Sequence, residues 1–257
     1  MAALLQIENA SFDGAFVAYE GIGELSVADG WTPWWRQGTE DEVSQGFSKR
    51  PEFKAEPNRV RSGQTGQKFF TTFATHSAGL YQKVQALHGW KLTLSAFVQV
   101  YSVDADGETQ GGYGCQIGID PYGGTDPFSE KIVWGDWASQ YDNWDGDSWR
   151  QVIVQAEAVA DVVTIFLKGQ CDHRVKHNDS YWDDVVLTAD IEPTPSPTPT
   201  PTPSSGTIGE LKAGIEALRV GLETVLADVG AIEDHIQTMI DNSIRCIPID
   251  ELPEWEE

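Results

Sequence analysis

Ring-bearing side chains crowd into two segments that lack the alternation of a strand: WTPWW (31–35) and WASQYDNW (137–144), with Tyr122 in the turn-like PYGG between them. A flat indole or phenol ring can stack on the apolar face of a sugar ring, and amide, carboxylate or guanidinium groups beside it can bond the hydroxyls. Trp34, Trp35, Arg36, Tyr122, Trp137, Tyr141 and Trp144 are therefore the candidate ligand-binding residues, with Trp31, Asp142 and Asn143 beside them. The competing reading of any single tryptophan is a packing anchor. Two aromatic loop clusters together predict some exposed aromatic surface.

Reactive chemistry is harder to assemble. The chain has no GxSxG, HExxH or P-loop, and no GxGxxG placed before a helix. His76 lies in strand context without an identifiable nucleophile. His173 and His177 are four apart, but in an expected loop, where that spacing does not build a zinc site. DADGE (104–108) and DNWDGD (142–147) stop short of a calcium loop and its closing glutamate, and the first sits where a hairpin must turn. The expectation is a protein without catalytic residues. A glycosidase carboxylate pair is the alternative, because the separation it needs is invisible in one dimension.

The elements that position these residues divide the chain sharply. EPTPSPTPTPTPSS (192–205) alternates proline with threonine or serine. It can join neither a helix nor a central strand, and it should form an extended polyproline spacer. Before it, Val, Thr and aromatic residues with turn signals about every ten positions predict a sandwich. The expected strands are 4–9, 16–19, 68–75, 79–84, 91–101, 112–119, 151–158, 162–168 and 180–188. Long irregular stretches remain near 28–66 and 120–150, lengths that usually carry function or mobility.

After the spacer, Ile208, Ile215, Leu222, Val229 and Ile236 share one heptad position, and Leu211, Leu218, Val225, Ile232 and Met239 share the other. That repeat predicts a coiled coil, with a trimer favoured because Leu226 and Ile240 widen the apolar seam. A helix folded back on the sandwich is the alternative. The fold class is thus mainly β: a jelly-roll β-sandwich (1–190), a Pro/Thr-rich linker (191–206), a C-terminal coiled-coil α-helix (207–247) and an acidic tail (248–257).

A net charge of −23 over 257 residues argues against nucleic acid, whose phosphates need clustered Lys and Arg. No run approaches the ~18–20 apolar residues of a membrane span. The first residues, MAALLQIENASFDG, lack the basic and long apolar regions of a signal peptide. The expected location is extracellular, after loss of a signal, or on a virion. Three cysteines, Cys115, Cys171 and Cys246, leave a Cys115–Cys171 bridge and two free buried thiols both open.

Two segments carry a family resemblance. Asn9, Phe12 and Asp13 in ENASFDG, and Trp182, Asp183, Asp184, Val185 and Leu187 in YWDDVVL, match an Asn-x-x-Phe-Asp opening and an aromatic-x-Asp-x-Val-x-Leu-like closing strand. Residues 1–190 resemble carbohydrate-binding-module-like β-sandwiches of the galactose-binding jelly-roll type. The resemblance implies a glycan or cell-surface polysaccharide as partner. It also implies a structural Ca²⁺ held by Asp13 and Asp183, with Asp184 a weaker candidate. The alternative is an acid bonded to backbone amides. By strand period, Tyr181, Asp183, Val185 and Leu187 are expected on one face. The whole reads as a non-enzymatic homo-oligomer for display or adhesion. The expected settings are a bacteriophage virion appendage for host recognition, with other virion proteins as partners, a secreted bacterial carbohydrate-binding protein, or a purely structural virion component.

Overall fold

The computed structural model describes residues 2–140 and 148–190, together with Ile215, Glu216, Arg219 and Glu223. The chain divides into two units, Met1–Thr194 and Pro195–Glu257. Along the first run β1 (Ala2–Leu4), β2 (Phe16–Ala18), β3 (Ser26–Ala28), β4 (Thr32–Trp35), helix α1 (Glu40–Ser44), β5 (Glu52–Glu56) and β6 (Gly66–Thr71). Then follow β7 (Ser77–Gln85), β8 (Lys91–Val103), β9 (Tyr113–Asp120), β10 (Val133–Trp134), β11 (Ala138–Ser139), β12 (Arg150–Glu157), β13 (Val162–Cys171) and β14 (His177–Asp190).

They build two six-stranded antiparallel sheets and a separate antiparallel pair of β2 and β3. The first has the order β12-β8-β14-β6-β5, with β1 added on β14; the second has the order β10-β9-β13-β7-β4, with β11 added on β9. Period two decides which residues face inward. Leu92, Leu94, Ala96, Val98 and Val100 of β8 face Ile117 and Ile119 of β9 and Val163, Ile165 and Leu167 of β13 across one core. Each fully buried aliphatic side chain there contributes about 1.5–3 kcal/mol.

One expectation about β14 fails, and a bulge is the reason. Asp183 pairs with Phe97 but Val186 pairs with Ser95, so Asp184 and Val185 together oppose Ala96. Asp184 takes φ 48°, the left-handed region. The extra residue exchanges the faces. Asn178, Ser180 and Trp182 point inward before the bulge, and Val185, Leu187 and Ala189 after it. Tyr181 and Asp183 therefore lie on the outer face, not with Val185 and Leu187.

At one end of the core, polar groups form a directed chain. Thr71 Oγ1 donates to the Ala74 carbonyl at 2.6 Å, so it must accept from His76 Nδ1 at 2.9 Å. His76 Nε2 then carries the lone pair and accepts from Tyr113 Oη at 2.7 Å; Ser180 Oγ lies 3.1 Å from Tyr113 Oη and accepts from Trp182 Nε1. Burial lowers the His76 pKa to about 3, which fixes the neutral ring. Cys115 and Cys171 are both free and buried, which settles the open pairing, and burial raises both thiols.

The irregular stretch 28–66 contains β4, α1 and β5. Helix α1 is opened by a capping box in which Thr39 Oγ1 accepts from Glu42 N and Glu42 Oε2 accepts from Thr39 N. In the second unit the four described residues are helical, and Arg219 pairs with Glu216 at 2.9 Å and with Glu223 at 3.8 Å. The remaining coiled-coil positions, the linker, the tail and Cys246 lie outside the described residues.

Candidate functional site

Two outer faces could bear a ligand, and strand register shows what each contains. Across the second sheet, one row reads Thr32, Tyr81, Phe166, Gly118 and Trp134. The next reads Trp34, Gly79, Lys168 and Gln116, and a third reads Ser77, Gln170, Gly114 and Ser139. Residues in register share a face. These three rows are therefore aromatic rings interleaved with glycines, glutamines, small hydroxyl residues and one lysine.

The glycines make room for the rings. A Cβ on Gly118 would lie 2.7 Å from Trp134 and Ile132, one on Gly114 3.0 Å from Trp137, and one on Gly79 3.0 Å from Trp34. Three indoles thus lie on bare backbone. Trp34, Ile132 and Phe166 form a small apolar cluster supported by Tyr81 and Trp134, with Phe128 edge-on to Trp34 at 5.9 Å. Trp137 stays 44% exposed.

Beside Trp137 opens a cleft of about 190 Å³ lined by Gly112, Gly114, Trp137, Ser139, Gln170 and Asp172. Lys168 Nζ stands 5.0 Å from the ring centres of both Trp134 and Trp137, and burial lowers its pKa. Two buried polar atoms on this face have no hydrogen-bond partner among the described residues, Trp34 Nε1 and Thr164 Oγ1. A cleft with one accessible ring, an amide, a hydroxyl and a carboxylate, and with a cation 5.0 Å from that ring's centre, can stack a polar ring and bond its substituents.

The ligand-binding candidates from sequence separate here. Trp34 and Trp137 share this face, with Trp34 buried and Trp137 at the cleft. Tyr122 is exposed with Lys131 Nζ 5.1 Å from its ring centre. Trp35, in register with Ala78, packs against the main core, its Nε1 donating to Gln37. Arg36 bonds Ser48 Oγ and pairs with Glu42 at 2.9 Å, anchoring α1. Trp31 is buried against Phe12, ring centres 5.5 Å apart. Tyr141, Asp142, Asn143 and Trp144 lie outside the described residues. Reasoning from sequence missed Tyr81, Trp134, Lys168, Gln170 and Asp172. The available signal was faint: Thr164, Lys168 and Gln170 fall at even spacing in β13, but Phe166 among them hides the alternation.

Part of the outer face of the first sheet is covered by the segment 57–65, while Ile153 and Val186 on the same face stay exposed. Lys68 Nζ meets Asp179 Oδ2 at 2.6 Å, Tyr181 Oη donates to the same oxygen at 3.0 Å, and all three residues are buried. Arg59 lies over Tyr101 and Tyr181 at 4.8 and 5.0 Å, and Arg61 over Phe97 at 3.4 Å. These arginines belong to the segment 57–65, which three acids pin down.

Asp183, fully buried, accepts from the backbone N–H of Arg61, Ser62 and Asp184 at 2.8, 3.2 and 2.8 Å; desolvation raises its pKa. Asp13 accepts from Gln64 N at 2.6 Å and Thr65 N at 3.0 Å, which lowers its pKa. Asp184 pairs with Arg61 and accepts from Ser62 Oγ. The two residues expected to ligate calcium therefore hold opposite ends of one loop, each engaged by amide donors that a cation would have to share. Among the described residues no three His, Cys, Asp or Glu groups converge as a metal cluster. Asp106 caps its own hairpin turn, its pKa lowered to about 2 by bonds from Thr109 and Glu108.

No protein-family model matches the chain, and no curated protein matches it. Solved structures do. A carbohydrate-binding module, TmCBM61, in complex with β-1,4-galactotriose is similar at 13% identity and a TM-score of 0.45, over 72% of this chain and 98% of that one. The CBM22-1 xylan-binding domain of Paenibacillus barcinonensis Xyn10C is similar at 10% identity and a TM-score of 0.42, over 72% and 94%. The enzymatically active domain of tailspike protein 4 of bacteriophage CBA120 is similar at 12% identity and a TM-score of 0.39, over 72% of this chain and 21% of that one.

Proposed function

We propose that residues 1–190 form a non-catalytic glycan-binding head whose ligand lies on the outer face of the second sheet, stacked on Trp137. The observation that carries this is the Trp137 cleft. An exposed indole stands there over a glycine backbone beside the amide of Gln170, the carboxylate of Asp172 and the ammonium of Lys168.

The second part of the proposal is display. The Pro/Thr segment spaces the head from a self-associating helix, with a trimer favoured, so that weak contacts per head gain avidity. Ile215, a heptad-seam residue, leaves 61% of its surface exposed in the single chain, as a position awaiting a partner helix would. The setting is extracellular or on a virion. Calcium bound at Asp13 and Asp183 is a further proposal, tested by whether a chelator lowers Tm. Affinity electrophoresis of the full chain through gels containing galactan, xylan or polygalacturonate tests the binding reading. Retardation by at least one is expected, and unretarded migration in all three would overturn it.

A further inference from the structure

Lys168 is the least explained charge in the head. It sits mid-strand in β13 between Gly79 and Gln116, half-buried, with its ammonium between two indole rings. No carboxylate among the described residues lies within ion-pair distance of it. The contrast with the other face is direct, because the buried Lys68 is paired with Asp179 and the loop arginine Arg61 with Asp184. Partly withdrawing a cation from water without an anion costs free energy, which two ring faces offset only in part. Trp137 is at once the wall of the cleft and one of the rings holding Lys168. A ring stacked on Trp137 would bring its substituents toward the ammonium.

Resting on the glycan reading above, we infer that the cleft selects an acidic sugar: a uronate ring stacks on Trp137 and its carboxylate pairs with Lys168. The neutral groups Gln170 and Ser139, with Asp172 accepting from hydroxyls, bond the remainder of the ring. A half-buried pair is screened less than exposed charges. The selectivity therefore persists at ~150 mM salt, where the long-range repulsion from a net charge of −23 has weakened.

The probes are polygalacturonate, its methyl ester and its carboxyl-reduced form, which keep one backbone and differ only in charge. Affinity electrophoresis of the full chain should show binding to the acid form about tenfold tighter than to either neutral form, the scale of one charge-assisted pair. Lys168→Met should bind all three equally, and Lys168→Arg should restore the preference, with thermal unfolding of each variant confirming the fold. Equal binding of acid and ester by the wild type, or a preference that survives in Lys168→Met, overturns the inference. Binding to neutral galactan or xylan but to none of the three probes also overturns it while leaving the glycan reading intact. Failure to bind any of the five polysaccharides overturns both.

Discussion

The two outer faces of the sandwich are made by the same construction and finished in opposite ways. On the first sheet the segment 57–65 lies over Tyr101, Tyr181 and Phe97, and acids meet the charges of Lys68 and Arg61. On the second sheet, rings rest on glycine backbone, Trp137 is 44% exposed, and no acid among the described residues lies within ion-pair distance of Lys168. The difference teaches where binding energy is available. A charge already met by an acid gains little from a ligand, whereas an exposed ring has contacts still to make.

The largest expected effect removes both faces at once. His76 is neutral in the fold with a pKa near 3, against an ordinary value of 6.5 in the unfolded chain. Protons therefore bind the unfolded state preferentially between those values. Stability is full above pH 6.5 and is lost as pH falls toward about 3, by on the order of 4–5 kcal/mol for this group alone. Urea unfolding at stepped pH should show that slope, and His76→Gln should flatten it. An unchanged slope in the variant would remove His76 from the account.

Next in size is Lys68→Met, which leaves Asp179 buried with Tyr181 as its remaining donor. A loss of about 3–5 kcal/mol is expected, with much of it recovered in Lys68→Met/Asp179→Leu. Glycan affinity should hold in the double variant, because Lys68 and Asp179 lie on the other sheet from the Trp137 cleft. Gly118→Val drives a side chain into Trp134 and Ile132, so about 1–3 kcal/mol of stability and most of the binding should go together. Smallest in stability is Trp137→Ala. Its exposed ring should cost less than ~1 kcal/mol in denaturant titration while lowering polysaccharide affinity at least tenfold.

Much of this was legible in the sequence, and the gaps have physical causes. Leu92, Leu94, Ala96, Val98 and Val100 alternate openly because the other face of β8 is polar, so that strand declared its register. β13 concealed its register because Phe166 and Thr164 on its outer face are as buried as Ile165 and Leu167 on its inner one. Alternation disappears when both faces are covered. The exchange of faces in β14 rests on one bulge residue, Asp184, which no periodicity argument can locate. The tryptophans were visible as a set, but which of them packs and which faces solvent depended on glycines in distant strands. Gly114 and Gly118 lie on β9, and Gly79 on β7.

The most direct test of the central claim is the migration of the full-length wild type and Trp137→Ala through gels containing galactan, xylan or polygalacturonate, beside their thermal unfolding curves. At least one polysaccharide should retard the wild type, and the variant should be retarded far less while its unfolding midpoint falls by no more than a few degrees. No retardation of the wild type by any of them, or equal retardation of the two proteins, would contradict it.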